Sequence, residues 1–137
     1  MKILIAEDDS SQRDLLVALL GQRFQCEVLQ AEDGLETLRI LLKDSPDLDL
    51  AILDMTMRYV DGRHILSIIK SHPHLHELPV IACTAHNTKE DVAEILRYGV
   101  AAFIVKPIVK PILHAKIAAV LRKVVNSDGE DSKNTFP

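Results

Sequence analysis

Asp54 closes the apolar run Ala51-Ile52-Leu53, and three other apolar runs also end on groups able to do chemistry. Glu7-Asp8-Asp9 ends the first, Thr84 ends Pro79-Val80-Ile81-Ala82-Cys83, and Lys106 ends Ala102-Phe103-Ile104-Val105. A short apolar run of this kind reads as a buried strand. A carboxylate at the end of such a strand is costly unless a cation or hydrogen-bond donors meet it. Each residue alone has a plainer explanation. An acidic run after a strand is usually a helix cap or a solvated loop. A strand-terminal Asp or Thr is commonly a hydrogen-bonded loop residue, and a Lys before Pro is commonly just exposed. Their agreement in position points instead to one site, with Asp54 as the candidate for its reactive centre.

If Glu7, Asp8 and Asp54 converge, their like charges repel by roughly several kcal/mol at a moderate effective dielectric. A divalent cation offsets that repulsion. An oxygen-rich site suits Mg²⁺, which usually takes only one or two protein carboxylates; Mn²⁺ is the alternative ion. A lysine opposite the cation neutralises more charge. Such a cage binds phosphate oxygens and stabilises charge on a transferring phosphoryl group. A carboxylate left free to attack becomes an acyl phosphate.

The elements that must position these groups follow from periodicity and caps. Strands are predicted at Lys2 to Ala6, Cys26 to Ala31, Leu50 to Leu53 ending at Asp54, Val80 to Cys83 ending at Thr84, and Ala102 to Val105. Helices are predicted from Ser10 to Arg23, Gly34 to Asp44, Asp61-Gly62 to Ser71, Thr88 to Tyr98, and Lys110 to Val125. Asp9, Ser10 and Ser11 are capable N-caps for the first helix, Thr88 caps the fourth, and Gly99 stops it. The class is α/β: a (βα)5 doubly wound, five-stranded parallel sheet with helices on both faces. In such folds ligands sit at the carboxyl ends of the strands, where every flagged side chain lies.

At 137 residues, 47% of them hydrophobic, the chain fits one domain with a proper core. The expected domain is residues 1–125, and the polar segment 126–137 reads as a disordered tail or the start of a linker. A net charge of −4 with no long basic stripe argues against direct nucleic-acid contact. Lys110, Lys116, Arg122 and Lys123 of the last helix read as a solvated face. Cys26 and Cys83 are far apart, and a reducing compartment is the simpler expectation. No apolar stretch approaches a membrane span, and the N-terminus is not a signal peptide, so a cytoplasmic location is expected. His72, His74 and His76 invite a zinc reading, but no Cys lies near them, and a polar loop explains them more simply. His64 and His114 fall in helices without special pattern.

In combination and order, these motifs resemble the receiver domain of two-component response regulators, the CheY-like family. The resemblance covers about Lys2 to Val125. It rests on Lys2-Ile-Leu-Ile-Ala-Glu-Asp-Asp9, on Leu53-Asp54-Met55-Thr56-Met57 followed by Asp61-Gly62, on Thr84-Ala85, and on Phe103-Ile-Val-Lys106-Pro107. It implies the flavodoxin-like strand order 2-1-3-4-5 for the sheet and Asp54 as the phosphoacceptor. Asp8 would lie directly on Mg²⁺, Glu7 would act through water, and the Thr56 carbonyl would be the third protein ligand. Lys106 would contact the phosphoryl group, with Lys106-Pro107 cis, and Thr84 would hydrogen-bond a phosphoryl oxygen. Phe103 would change rotamer with Thr84, although core packing is the plainer role and family members often carry Tyr there. Thr56 and His86 occupy the two positions that tune phosphoryl lifetime.

The chain departs from the family pattern at Arg58, where Pro is usual, which puts the rigidity of that loop in question. The segment Gly99 to Phe103 lacks the acidic residue common in receivers of winged-helix regulators, which disfavours their dimer mode. The resemblance implies a histidine kinase or histidine phosphotransfer protein as donor and an output protein or domain as reader. The output would be read from the fourth helix, fifth strand and fifth helix, and the chain would be no enzyme beyond its own phosphorylation and dephosphorylation. Two other classes compete. A haloacid-dehalogenase-type phosphatase needs an Asp two residues after its nucleophile, and Thr56 stands there. A binding module that never carries phosphate would have little use for the full set Asp8, Asp54, Thr84 and Lys106.

Overall fold

The computed structural model describes residues 1–44 and 47–128. Strands and helices alternate as β1 (Lys2–Ala6), α1 (Ser10–Gly21), β2 (Glu27–Ala31), α2 (Gly34–Asp44), β3 (Leu50–Asp54), α3 (Gly62–Ser71), β4 (Val80–Thr84), α4 (Lys89–Arg97), β5 (Ala102–Val105) and α5 (Lys110–Asp128). The strands form one parallel sheet in the order β2-β1-β3-β4-β5, as the family resemblance implies. Side chains alternate across a strand, and here both faces are buried, so each strand feeds two cores. Ile3, Ile5, Leu50, Ile52, Ile81, Cys83 and Ile104 meet α1 and α5 on one face. Leu4, Ala6, Ala51, Leu53, Val80 and Ala82 meet α2, α3 and α4 on the other.

Caps set the helix starts. The Asp9 carboxylate accepts from the Gln12 N–H at 3.0 Å, Asp61 from His64 at 3.0 Å, and the Thr88 hydroxyl from Asp91 at 3.1 Å. Gly99 follows α4 at φ +74, the left-handed conformation that ends a helix cheaply only at glycine. Helix α1 ends at Gly21, two residues before the expected Arg23, because the N–H groups of Arg23 and Phe24 both turn back to the Leu20 carbonyl. β2 starts at Glu27, one residue later than expected, where its N–H reaches the Met1 carbonyl at 2.8 Å. Helix α5 runs to Asp128, three residues beyond the expected end at Val125, so residues 126–128 are helix and not tail. The rest of the expected tail, 129–137, lies outside the described residues. Among the described residues no helix is long and apolar enough to cross a membrane, and both cysteines are free.

Candidate functional site

The chain leaves β1 for β2 on one side and returns to β3 on the other, which opens a crevice at the carboxyl ends of β1 and β3. Alternation then decides what fills it. Glu7 continues the parity of Ile3 and Ile5, Asp54 that of Leu50 and Ile52, and Lys106 that of Ile104. All three point to the α1–α5 side of the same sheet edge. The Lys106 ammonium donates to Glu7 Oε1 at 2.8 Å and stands 3.3 Å from Asp54 Oδ2. Glu7 is 1% exposed and Asp54 5%. Asp54 Oδ1 accepts from the Thr56 N–H at 3.1 Å, and Glu7 Oε2 from the Asp9 N–H at 3.2 Å.

Asp8 lies outside this buried triangle. Its side chain is 26% exposed, and Arg58 Nε approaches Asp8 Oδ2 at 4.0 Å, an ion pair too long for a hydrogen bond. One carboxylate oxygen each from Glu7, Asp8 and Asp54 lie within 4.8 Å of one another. Among the described residues this is the one group of three able to hold a metal ion. His72, His74 and His76 form no such group. They sit on a turn anchored by buried Leu75, and the His74 N–H donates to His72 Nδ1 at 3.0 Å.

The electrostatics show more negative charge than one lysine neutralises. Burial, then the hydrogen-bonded and charged Glu7, push the Asp54 carboxyl up to about 7, against the opposing Thr56 N–H and Lys106. Burial also opposes charge on Glu7, but hydrogen bonds with Asp54, Lys106 and the Asp9 backbone hold it below its usual value. Burial likewise opposes the charge on Lys106, and the two carboxylates outweigh it and raise its pKa. Cys83, wholly buried beside them, is pushed up to about 12 by desolvation and stays a thiol.

The remaining predicted residues surround this core. Thr84 is buried, and its hydroxyl accepts from the His86 N–H at 2.9 Å and donates to the His86 carbonyl at 3.2 Å. Thr84 and His86, with Thr56, Met55, Arg63, Asp91 and Ile95, line a groove of about 170 Å³ on the α3–α4 side. Phe103 is half-buried in the core on that same face, opposite Ala82 of β4, with Lys116 Nζ 5.7 Å from its ring centre. Lys106-Pro107 is cis, as expected.

Some contributors carry no signal in the sequence. Arg13 donates to the Glu7 carbonyl at 2.8 Å, and Arg63 ties α3 to α4 through Glu94 at 2.6 Å. Arg13 follows its cap by four residues, as any exposed helical arginine could.

The family model for the response regulator receiver domain matches residues 3–118. The chain is 30% identical to the chemotaxis protein CheY homolog of Campylobacter jejuni over 88% of this chain and 92% of that one. It is 34% identical to the two-component response regulator-like APRR3 of Arabidopsis thaliana, of whose length it spans 27%. The signal receiver domain of a DNA-binding response regulator from Colwellia psychrerythraea superimposes with a TM-score of 0.81 at 28% identity. That match covers 89% of this chain and 98% of the other.

Proposed function

The chain belongs to the response regulator receiver domain family, and from that premise we propose that it is a phosphorylatable switch with Asp54 as acceptor. The observation that carries this reading is the triangle of Asp54, Glu7 and Lys106, with Asp8 beside it. Asp54 attacks the phosphorus of a phosphohistidine on a kinase or phosphotransfer protein. A P–O bond forms to the carboxylate, the P–N bond breaks, and the imidazole leaves with the electron pair. Lys106 neutralises charge at the carboxylate and then meets the phosphoryl oxygens. The Thr56 N–H fixes one oxygen of Asp54 and leaves the other toward Lys106.

The donor set suits a hard divalent cation. It is all oxygen, it contains three carboxylates against one partly buried lysine, and the raised Asp54 carboxyl marks the surplus charge. Asp8, Asp54 and the Thr56 carbonyl would hold Mg²⁺, with Glu7 behind water. When bound, the ion neutralises the carboxylates and the phosphoryl oxygens that approach them.

Thr84 gives up its bonds to His86 to reach a phosphoryl oxygen, and Phe103, on the same face, follows into the space it leaves. The shift biases the surface of α4, β5 and α5, where an output partner binds. Thr56 and His86, both exposed at the mouth, control water access and so phosphoryl lifetime.

Intact mass after incubation with Mg²⁺ and acetyl phosphate tests this function. Wild type gains one phosphoryl group and Asp54→Asn gains none. Equal gain by both proteins, or by neither, rejects Asp54 as acceptor.

A further inference from the structure

Glu7 and Asp54 share Lys106, but among the described residues Arg58 is the one cation within 4.0 Å of Asp8. Arg58 does not reach Asp8 from a loose loop. Its carbonyl accepts from the Gly34 N–H at 3.0 Å and the Val60 N–H at 2.9 Å. The next residue, Tyr59, holds φ +72. Gly34 packs so tightly on this loop that an added Cβ would lie 1.8 Å from the Val60 carbonyl oxygen. At the loop's far end a Cβ on Gly62 would lie 2.6 Å from the Met55 Cα. Two glycines therefore clamp the segment and root the Arg58 side chain beside the one open carboxylate.

We infer that Arg58 is a positioning residue of the cation site, whose guanidinium competes with a divalent cation for Asp8. This rests on the cation site proposed above. The guanidinium places a positive charge beside Asp8, where a cation would have to sit. A cation that takes Asp8 must displace Arg58 and meets its repulsion on the way in. Arg58 itself is 61% exposed, so that repulsion is open to screening by salt. Asp8 is thereby kept paired while the site is empty, and cation affinity is lower than the three carboxylates alone would give.

Stepwise addition of MgCl₂, followed by amide shifts in ¹⁵N NMR spectra, tests this on the full chain. Arg58→Ala and Arg58→Gln should bind Mg²⁺ roughly three- to tenfold more tightly at low salt, as expected for removing one screened charge near the ion. Arg58→Lys should stay within about twofold of wild type, and the gap to Arg58→Ala should narrow at about 0.5 M KCl. Equal affinity in wild type and Arg58→Ala, or tightening by Arg58→Lys as large as by Arg58→Ala, overturns the inference and leaves the cation site standing. No Mg²⁺ response in any of the proteins overturns the cation site and the inference with it. Melting curves by circular dichroism identify any variant that fails to fold, and the two neutral substitutions back each other up.

Discussion

Glu7 and Asp54 are 1% and 5% exposed and share the Lys106 ammonium, whereas Asp8, next to Glu7 in the chain, is 26% exposed and has Arg58 at 4.0 Å as its one cation among the described residues. The inner groups stand at or just past strand ends, and three rows of strand hydrogen bonds fix their spacing. The outer pair depends on the loop between β3 and α3, which packs closely on Gly34 at the start of α2. The buried half is thus set by the sheet itself, and the open half is where the proposed cation would exchange. Burial makes the inner interactions strong and their loss expensive. Exposure makes the outer ones weak, screened and adjustable.

Removing the inner cation should have the largest effect. Lys106→Met leaves two buried carboxylates without a cation and should cost about 3 kcal/mol at pH 8, measured by urea unfolding without metal. The cost should shrink at pH 5, where a proton on Asp54 stands in for the ammonium. A loss that is equal at both pH values would deny that the triangle is electrostatically tight.

Gly34→Ala comes next. Its Cβ meets Val60 backbone, which cannot swing aside, and the expected loss is about 1–3 kcal/mol. Gly21, at the end of α1 with nothing within 4 Å of an added Cβ, is the control. Gly21→Ala should gain about 0.5 kcal/mol.

Asp54→Asn should stabilise the metal-free protein by about 1–2 kcal/mol at pH 8. The pH dependence has a defined sign. Folded Asp54 titrates at about 7 and its unfolded form at 3.8, so between these values the folded state holds a proton that the unfolded state has lost. Stability from this group is present below 3.8 and is lost as pH rises through about 7. Glu7, lowered from 4.5, acts oppositely: its contribution is present above 4.5 and is lost as pH falls through the lowered value. The difference between wild type and Asp54→Asn in EDTA, followed from pH 4 to 8, isolates the Asp54 part. It should grow with pH, and a flat difference would contradict the raised carboxyl. The smallest effect should come from Arg63→Ala, which breaks a half-exposed pair with Glu94 and should cost less than about 1 kcal/mol.

Much of the inner half was legible in the sequence. Strands buried on both faces appear as unbroken apolar runs, so Glu7, Asp54, Thr84 and Lys106 could be placed at strand ends by inspection. Asp9, Thr88 and Gly99 announced helix boundaries through cap chemistry that is local in sequence. Parity along the strands also puts Glu7, Asp54 and Lys106 on one side. The outer half was not legible. Arg58 and Asp8 are fifty residues apart, and the path of the Arg58 loop is set by its close contact with Gly34 at the start of α2. The substitution of Arg58 for the usual Pro raised a doubt about loop rigidity, and the two glycine contacts supply that rigidity instead. The bond from Arg13 to the Glu7 carbonyl leaves no mark in a one-dimensional pattern. The end of α5 was missed because polar residues such as Asn126 and Ser127 continue a helix as readily as they start a tail.

Asp54 as the proposed nucleophile of this site can be tested directly. Borohydride reduces an acyl phosphate of aspartate to homoserine, so treatment after acetyl phosphate and Mg²⁺, followed by peptide mass mapping, locates the acceptor. Homoserine is expected at position 54 alone, and none when EDTA replaces Mg²⁺. Homoserine at Asp8 or Asp9, or an Mg²⁺-independent yield at position 54, would contradict it.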